Sequence, residues 1–211
     1  VVPGFFILTT KENNIMEINL TDFRDDAELK YAAKHIGESG LNFHGHVFTD
    51  HYRDGKLIHS CDQGGNTFTT EGMAYLLNII FGNVSKAAAA IFYCGLFKTN
   101  VTPALGDTAA TKLGAAGSYG ECQDADYDSP ATDKPAYTIA STSTASCTNA
   151  ASTASFTIAG SITVYGAFLS TVAAKTATTG VLMCAKKFST ARAVIDNDIL
   201  AVTYAVTCTT S

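Results

Sequence analysis

"ASFTIAGSITVYGAFLS", residues 154–170, is the stretch on which the fold turns. It carries no charge, is rich in Thr, Val, Ile and aromatic residues, and is interrupted at Gly160. Such residues fit a pleated, half-buried surface, and a glycine between two such runs marks a turn, so the stretch reads as two strands around Gly160. Working outward, "TTGVLMCAKKF" (178–188) gives another strand. In "ILAVTYAVTCT" (199–209), Leu200, Val202, Tyr204, Val206 and Cys208 alternate onto one face, the period of a strand. Upstream, "AIFYCGLF" (90–97) is almost continuously apolar, as a strand buried on both faces would be. Between them, residues 99–155 hold Pro103, Pro130 and Pro135 among many Gly, Ser, Thr and Asp residues, which predicts long loops with short strands. The pattern predicts a mainly β domain, an antiparallel β-sandwich or jelly roll.

Two helices are expected near the N-terminal side. "TTEGMAYLLNIIFGN" (69–83) places Met73, Leu76, Leu77, Ile80 and Phe81 at helical spacing, with Thr69 or Thr70 to cap the start and Gly82-Asn83 to end it. The spacing predicts a helix over 70–82 whose apolar stripe is core, so that Leu77→Ala would cost about 2 to 5 kcal/mol. "TDFRDDAELKYAAKHIGESG" (21–40) has acidic residues early, Lys34 and His35 late and Gly37 as a stop, but only a thin apolar face. The organisation expected is an N-terminal arm and short helix over 1–40, followed by a sandwich domain over 41–211 with the second helix embedded in it.

The chain has 211 residues, 46% of them hydrophobic, enough for one sizeable core. The net charge of −5 and the scattered basic residues argue against a nucleic-acid surface, which needs a dense positive stripe. No apolar run approaches the roughly 18 to 20 residues that span a bilayer, so no membrane partner is expected. The six cysteines lie far apart without a Cys-x-x-Cys pair, and they read as mostly free thiols of a protein made in a reducing cytoplasm. Every histidine precedes residue 60, and the last hundred residues are dominated by Thr, Ala, Ser, Val and Gly.

The histidines concentrate in "HGHVFTDHYRDGKLIHSC" (44–61). Asp54-Gly55 between two β-rich runs predicts a two-residue hairpin pairing Arg53 with Lys56, Tyr52 with Leu57 and Asp50 with His59. That register puts His44, His46, Asp50 and His59 on one side, a set able to bind zinc, iron or manganese. His44-x-His46 with Asp50 faintly resembles the first motif of cupins, which would imply a metal-dependent enzyme. The second cupin motif has no counterpart, since no histidine follows His59. The hairpin is therefore read as structural, with those four residues as the candidate ligands and His51 packing on the other side. No Gly-x-Ser-x-Gly elbow or phosphate-binding glycine loop occurs, so neither a catalytic residue nor a cofactor is assigned. "DADYDS" (124–129) has the acidic start of a calcium loop without its glycine or closing glutamate.

Three stretches carry a likeness: "TTEGMAYLLNIIFG", then "IFYCGLFKTNVTPALGDTAAT", then "SITVYGAFLST" with "TTGVLMCAKKFSTARAVIDNDILAVTYAVT". Together they resemble a family of tailed-bacteriophage virion proteins, in which a helix precedes a "WYVGLF" strand, a "TPAAGDTAAT"-like loop and a "RPAW"-like segment. Here Phe92 stands where tryptophan is usual, Thr102–Thr111 matches the loop closely, and "KPAY" (134–137) replaces the last segment. The likeness covers residues 40 to 208. It implies a structural virion component, with capsid decoration or cement the first expectation and a tail or fibre part the second. The implied partners are the major capsid protein and further copies of the chain, as dimers or trimers at symmetry positions on the virion surface.

Residues 1–20 lie outside that likeness, show no period, and read as an arm. Phe5, Phe6, Ile7 and Leu8 are its candidate partner-binding residues, because a segment that cannot fold alone but carries apolar anchors is suited to order itself on a neighbour. Fully extended, it would reach about 65 Å.

Overall fold

A computed structural model describes residues 5–9, 15–19, 41–82, 92–140 and 143–210. The chain divides into two compact units, residues 1–42 with 210–211, and residues 43–209. In the first unit, strands β1 (Phe5–Thr9) and β2 (Ile15–Asn19) pair antiparallel, Phe5 opposite Asn19 and Thr9 opposite Ile15. The arm expected as one extended segment thus doubles back on itself, which removes the long reach. The helix expected at 21–36 lies outside the described residues.

The second unit is the expected antiparallel sandwich. Its strands are β3 (Leu41–Arg53), β4 (Lys56–Gly65), β5 (Thr67–Phe68), β6 (Tyr93–Phe97), β7 (Tyr127–Ser129), β8 (Ser146–Thr148), β9 (Ala154–Ile158), β10 (Ile162–Ser170), β11 (Leu182–Val194) and β12 (Ile199–Thr210). One sheet has the order β5-β11-β10-β6; the other runs β4-β3-β12-β9-β7, with β8 also paired to β12. The two runs around Gly160 are β9 and β10, and the turn between them carries the chain from one sheet to the other. The β11–β12 corner does the same, closed by Asn197 in the left-handed region and by the Ile195 amide donating to the Asp198 carboxylate at 2.9 Å.

The core lies between the sheets. Leu200, Val202 and Tyr204 of β12, Phe156 and Ile158 of β9, and Val47 of β3 meet Leu96, Val164, Leu169 and Phe188 of the other sheet. The alternation read in β12 is the one that builds this core. The four-stranded sheet is buried on its outer side too. There Phe97, Phe168, Leu182 and Ala185 pack under Ala109, Leu113 and Tyr119 of the segment that follows β6. This explains why "AIFYCGLF" reads as unbroken apolar sequence: Cys94 and Leu96 serve one core, Phe97 the other.

Glycines set the sheet spacing there. Gly95 stands opposite Phe168 and Gly166 opposite Phe97 across the β6–β10 ladder. A Cβ on either glycine would run into the ring of its partner. Each phenylalanine lies flat over the neighbouring strand because that strand has no side chain at the crossing point.

Helix α1 (Thr70–Phe81) forms where its capping grammar places it, with the Thr69 hydroxyl accepting from the Gly72 amide at 2.9 Å. Its packing differs from the expectation. Leu77, Ile80 and Phe81 are exposed, Leu77 by 56%, while Gly72 is the buried residue of the helix. The helix docks by its first turn: a Cβ at position 72 would collide with the Met183 backbone, so the absence of a side chain lets helix and strand touch. Of the apolar stripe Leu76 packs against the sandwich core, while Met73, Leu77, Ile80 and Phe81 are exposed, so Leu77 is not a core residue. Among the described residues no helix is long and apolar enough to cross a membrane.

Candidate functional site

The turn at Asp54-Gly55 forms as the sequence predicts, both residues having positive φ, 51° and 71°. Arg53 faces Lys56 and Tyr52 faces Leu57. Beyond that the register departs from a regular hairpin. His51 faces His59 and Asp50 faces Ser60, because Ile58 is an extra residue in β4; a second bulge at Gln63 lies between the Val47–Gly64 and Phe48–Asp62 pairs. One inserted residue moves everything after it to the opposite side of the sheet. His59 therefore belongs with His51 on the inner side, while His44, His46 and Asp50 stay outside, and the candidate four-ligand set does not converge. His46 instead meets the Asp62 carboxylate and lies near the Phe48 ring, at 4.7 Å between centroids. His44 Nε2 meets the Thr209 hydroxyl at 3.1 Å. Among the described residues no group of three or more His, Cys, Asp or Glu side chains could hold a metal ion. In the acidic run 124–129, Asp126 pairs with Lys98 at 2.7 Å and Asp124 with Lys175 at 2.9 Å.

Beside His59, which the bulge turns inward, lies a buried charge cluster at the β11–β12 corner. Asp198, 1% exposed, accepts from His51 Nε2 at 2.8 Å and from Arg53 Nε and a terminal guanidinium nitrogen at 2.8 Å each. Arg192 donates to His51 Nδ1 at 3.1 Å. A guanidinium can only donate, so the proton of this imidazole sits on Nε2. The Arg53 guanidinium, reinforced by the Ile195 amide and His51, holds the Asp198 carboxyl well below the usual range. Burial, with Arg192 and His51 adding, lowers the pKa of His59, whose Nε2 is buried without a partner. A histidine oriented by an aspartate is half of a proton-transfer site. Here the second ring nitrogen is occupied by Arg192 and the ring is 1% exposed, so the arrangement ties hairpin to corner and offers no base to a substrate.

The segment from Val101 to Tyr137, which contains the two motif-like stretches, uses its charges in the same inward manner. Asp107 accepts from the Ala104 amide and the Tyr119 hydroxyl, both at 2.8 Å, and pairs with Lys112 at 3.2 Å. Glu71 Oε2 accepts from the Ala109 amide at 2.9 Å and the Leu182 amide at 2.8 Å. Lys134 and Glu121, each 1% exposed, pair at 3.1 Å. Sequence reasoning did not single out Glu71, Glu121 or Asp198, because each finds its partners far along the chain.

The open surface is the outer face of the six-stranded sheet. The outward positions of β3, β9 and β12 are half-buried or exposed apart from Ala201, and Asp50 is the one charged residue among them. Phe48 is exposed by 40% and Ile199 by 37%, set among threonines at 203, 207 and 209. Such a face offers apolar and hydroxyl contact, with charge confined to Asp50 and to the Asp62 carboxylate that His46 meets at its β4 edge. Phe5, Phe6, Ile7 and Leu8 lie in β1, in the other unit. All six cysteines are free, Cys94, Cys122 and Cys184 being buried.

Comparison with protein-family models, with curated proteins and with solved structures found no match.

Proposed function

We propose that this chain is a structural component of a bacteriophage particle, a capsid decoration or cement protein that binds the shell of major capsid protein and stabilises it. The observation that carries the reading is the run of segments resembling tailed-phage virion proteins, from the helix at 70 to the strand ending near 208. Their polar residues support it: Glu71, Asp107 and Lys134 are engaged with backbone or with buried side chains, as befits a frame. The outer face of β3, β9 and β12, which carries Phe48, Ile199 and threonines with few charges, is suited to rest on a protein lattice, where each contact is modest and symmetry adds avidity. The residues of β1, Phe5 to Leu8, are a second point of grip on a neighbouring subunit or on the shell. The chain would be made in the host cytoplasm and end on the virion surface as a dimer or trimer.

Copy number per purified particle, measured by quantitative mass spectrometry, tests this. Hundreds of copies are expected. A handful to a few dozen would replace decoration by a tail or fibre role, and absence from the particle would overturn the virion reading altogether.

A further inference from the structure

Lys134 and Glu121 form a pair unlike the other lysine–carboxylate pairs among the described residues. Both side chains are 1% exposed, whereas the other lysine–carboxylate pairs each include a partner with a larger share in solvent. The surroundings are backbone and ring. Glu121 Oε2 accepts from the Gly114 amide at 2.9 Å, and Oε1 accepts from the Thr176 amide at 3.0 Å. Lys134 Nζ donates to Glu121 Oε1 at 3.1 Å and to the Ala174 carbonyl at 2.5 Å, and sits 5.9 Å from the centre of the Phe168 ring.

The partner set is revealing when donors and acceptors are counted. An ammonium carries three donors. Here two oxygen acceptors meet them, one being the carboxylate itself, and the third direction faces an aromatic ring. Remove one water from the pair, and what remains is an amide with one N–H and one carbonyl. The Ala174 carbonyl would then accept from that N–H, and the carbonyl oxygen that is kept would retain its own backbone donor, the Gly114 amide at Oε2 or the Thr176 amide at Oε1. Both polar atoms of the condensed product thus keep a partner. Burial also lowers the lysine pKa despite the opposing pull of Glu121, which favours the neutral amine that the reaction needs.

We propose that Lys134 and Glu121 join as an intramolecular isopeptide bond. The proton of the Lys134 ammonium passes to the Glu121 carboxylate across their hydrogen bond. The freed lone pair on Nζ adds to the carboxyl carbon, and the negative oxygen that develops is held by a backbone amide, the role such donors play at acyl centres. The proton released from nitrogen goes to the carboxyl hydroxyl, which departs as water while the C–N bond is kept. No oxidant or other reactant is consumed. Ala174 and Thr176, which touch the pair, also line a cleft of about 210 Å³ with Gln123, Asp124, Thr132 and Lys175, giving the water an adjacent exit. The bond would close the loop from 121 to 134 covalently, a useful property in a subunit that must survive on a particle surface.

The test is the mass of the full-length protein, followed by a peptide map. The wild-type chain is expected to be one water lighter than its sequence, with a branched peptide joining Glu121 to Lys134. The Lys134→Met variant is expected at its full sequence mass. A wild-type mass equal to the sequence mass overturns the proposal and leaves an ordinary buried ion pair. So does a missing water traced to Asp54-Gly55, where an aspartyl-glycine turn can cyclise by itself. Should Lys134→Met fail to accumulate, the wild-type peptide map alone decides.

Discussion

The two sheets of the sandwich share one core but treat their outer faces in opposite ways. The four-stranded sheet is roofed: Phe97 and Phe168 lie under Leu113 and Tyr119, and the roof is tied down by Glu71, Asp107 and the Lys134–Glu121 pair. The six-stranded sheet leaves Phe48, Ile199 and a run of threonines on its outside. A second buried face adds hydrophobic stabilisation and demands polar satisfaction, which the roof meets with backbone donors. The open face adds less burial and, on the proposed function, is the side left to recruit. In this protein stability is concentrated on one outer side and association, as proposed, on the other.

This contrast can be broken from the roofed side first. Phe168→Ala empties the centre of the second core and is expected to cost about 3 to 5 kcal/mol in chemical denaturation. A loss below about 1 kcal/mol, the scale of a surface change, would mean that the roof is not core. Gly166→Ala forces a methyl group against the Phe97 ring and the Lys186 carbonyl. It is expected to cost about 1 to 3 kcal/mol, and pairing it with Phe97→Leu should relieve the ring's share alone, since the Lys186 carbonyl stays in place. If Gly166→Ala is neutral, the ring does not lie over the strand.

At the corner the contrast becomes one of pH. The pKa of His59 is lowered in the fold by burial first, then by Arg192 and His51. Its contribution is complete above the ordinary histidine value near about 6.5 and is lost as pH falls below it. Asp198 is also depressed, chiefly by Arg53, so its contribution is kept above the ordinary aspartate value near about 3.9 and lost in stronger acid. Thermal melts should therefore fall in two stages on acidification, and His59→Gln should flatten the first. An unchanged first stage in that variant would assign the acid response to another group. The smallest stability effects are expected on exposed apolar positions: Leu77→Ala and Phe48→Ser each within about 0.5 kcal/mol. Phe48→Ser should nonetheless weaken attachment to particles in a sedimentation assay, and unaltered attachment would remove the open face from the proposed contact.

The strands were legible because alternation survives in β12 and because the roofed strand β6 is apolar on both faces. Helix α1 was legible in its position, through Thr69 and Gly82, but not in its packing. Its periodic stripe of Met73, Leu76, Leu77, Ile80 and Phe81 suggested burial throughout, whereas Leu76 alone of them packs on the core and the closest contact is made by Gly72, which adds nothing to an apolar pattern. The hairpin was legible at its turn and lost at Ile58, since a bulge leaves no residue signature and shifts every later pair. Of the candidate site, the histidines of β3 were placed on the correct faces. The buried cluster was hidden because Asp198 lies 147 residues beyond His51, and nothing local announces that distance.

The double bond-acceptor role of Glu71 has a dynamic corollary. One carboxylate oxygen holds the amide of Ala109 in the roof and the amide of Leu182 at the start of β11, while the helix that bears it is itself anchored on the same strand. Helix end, roof and strand start are thus latched at one point. None of the three can fray alone without stranding a partner, so they should open as one cooperative unit. In hydrogen–deuterium exchange, the amides of Ala109 and Leu182, 73 positions apart, should share one opening free energy, and Glu71→Gln should lower both together.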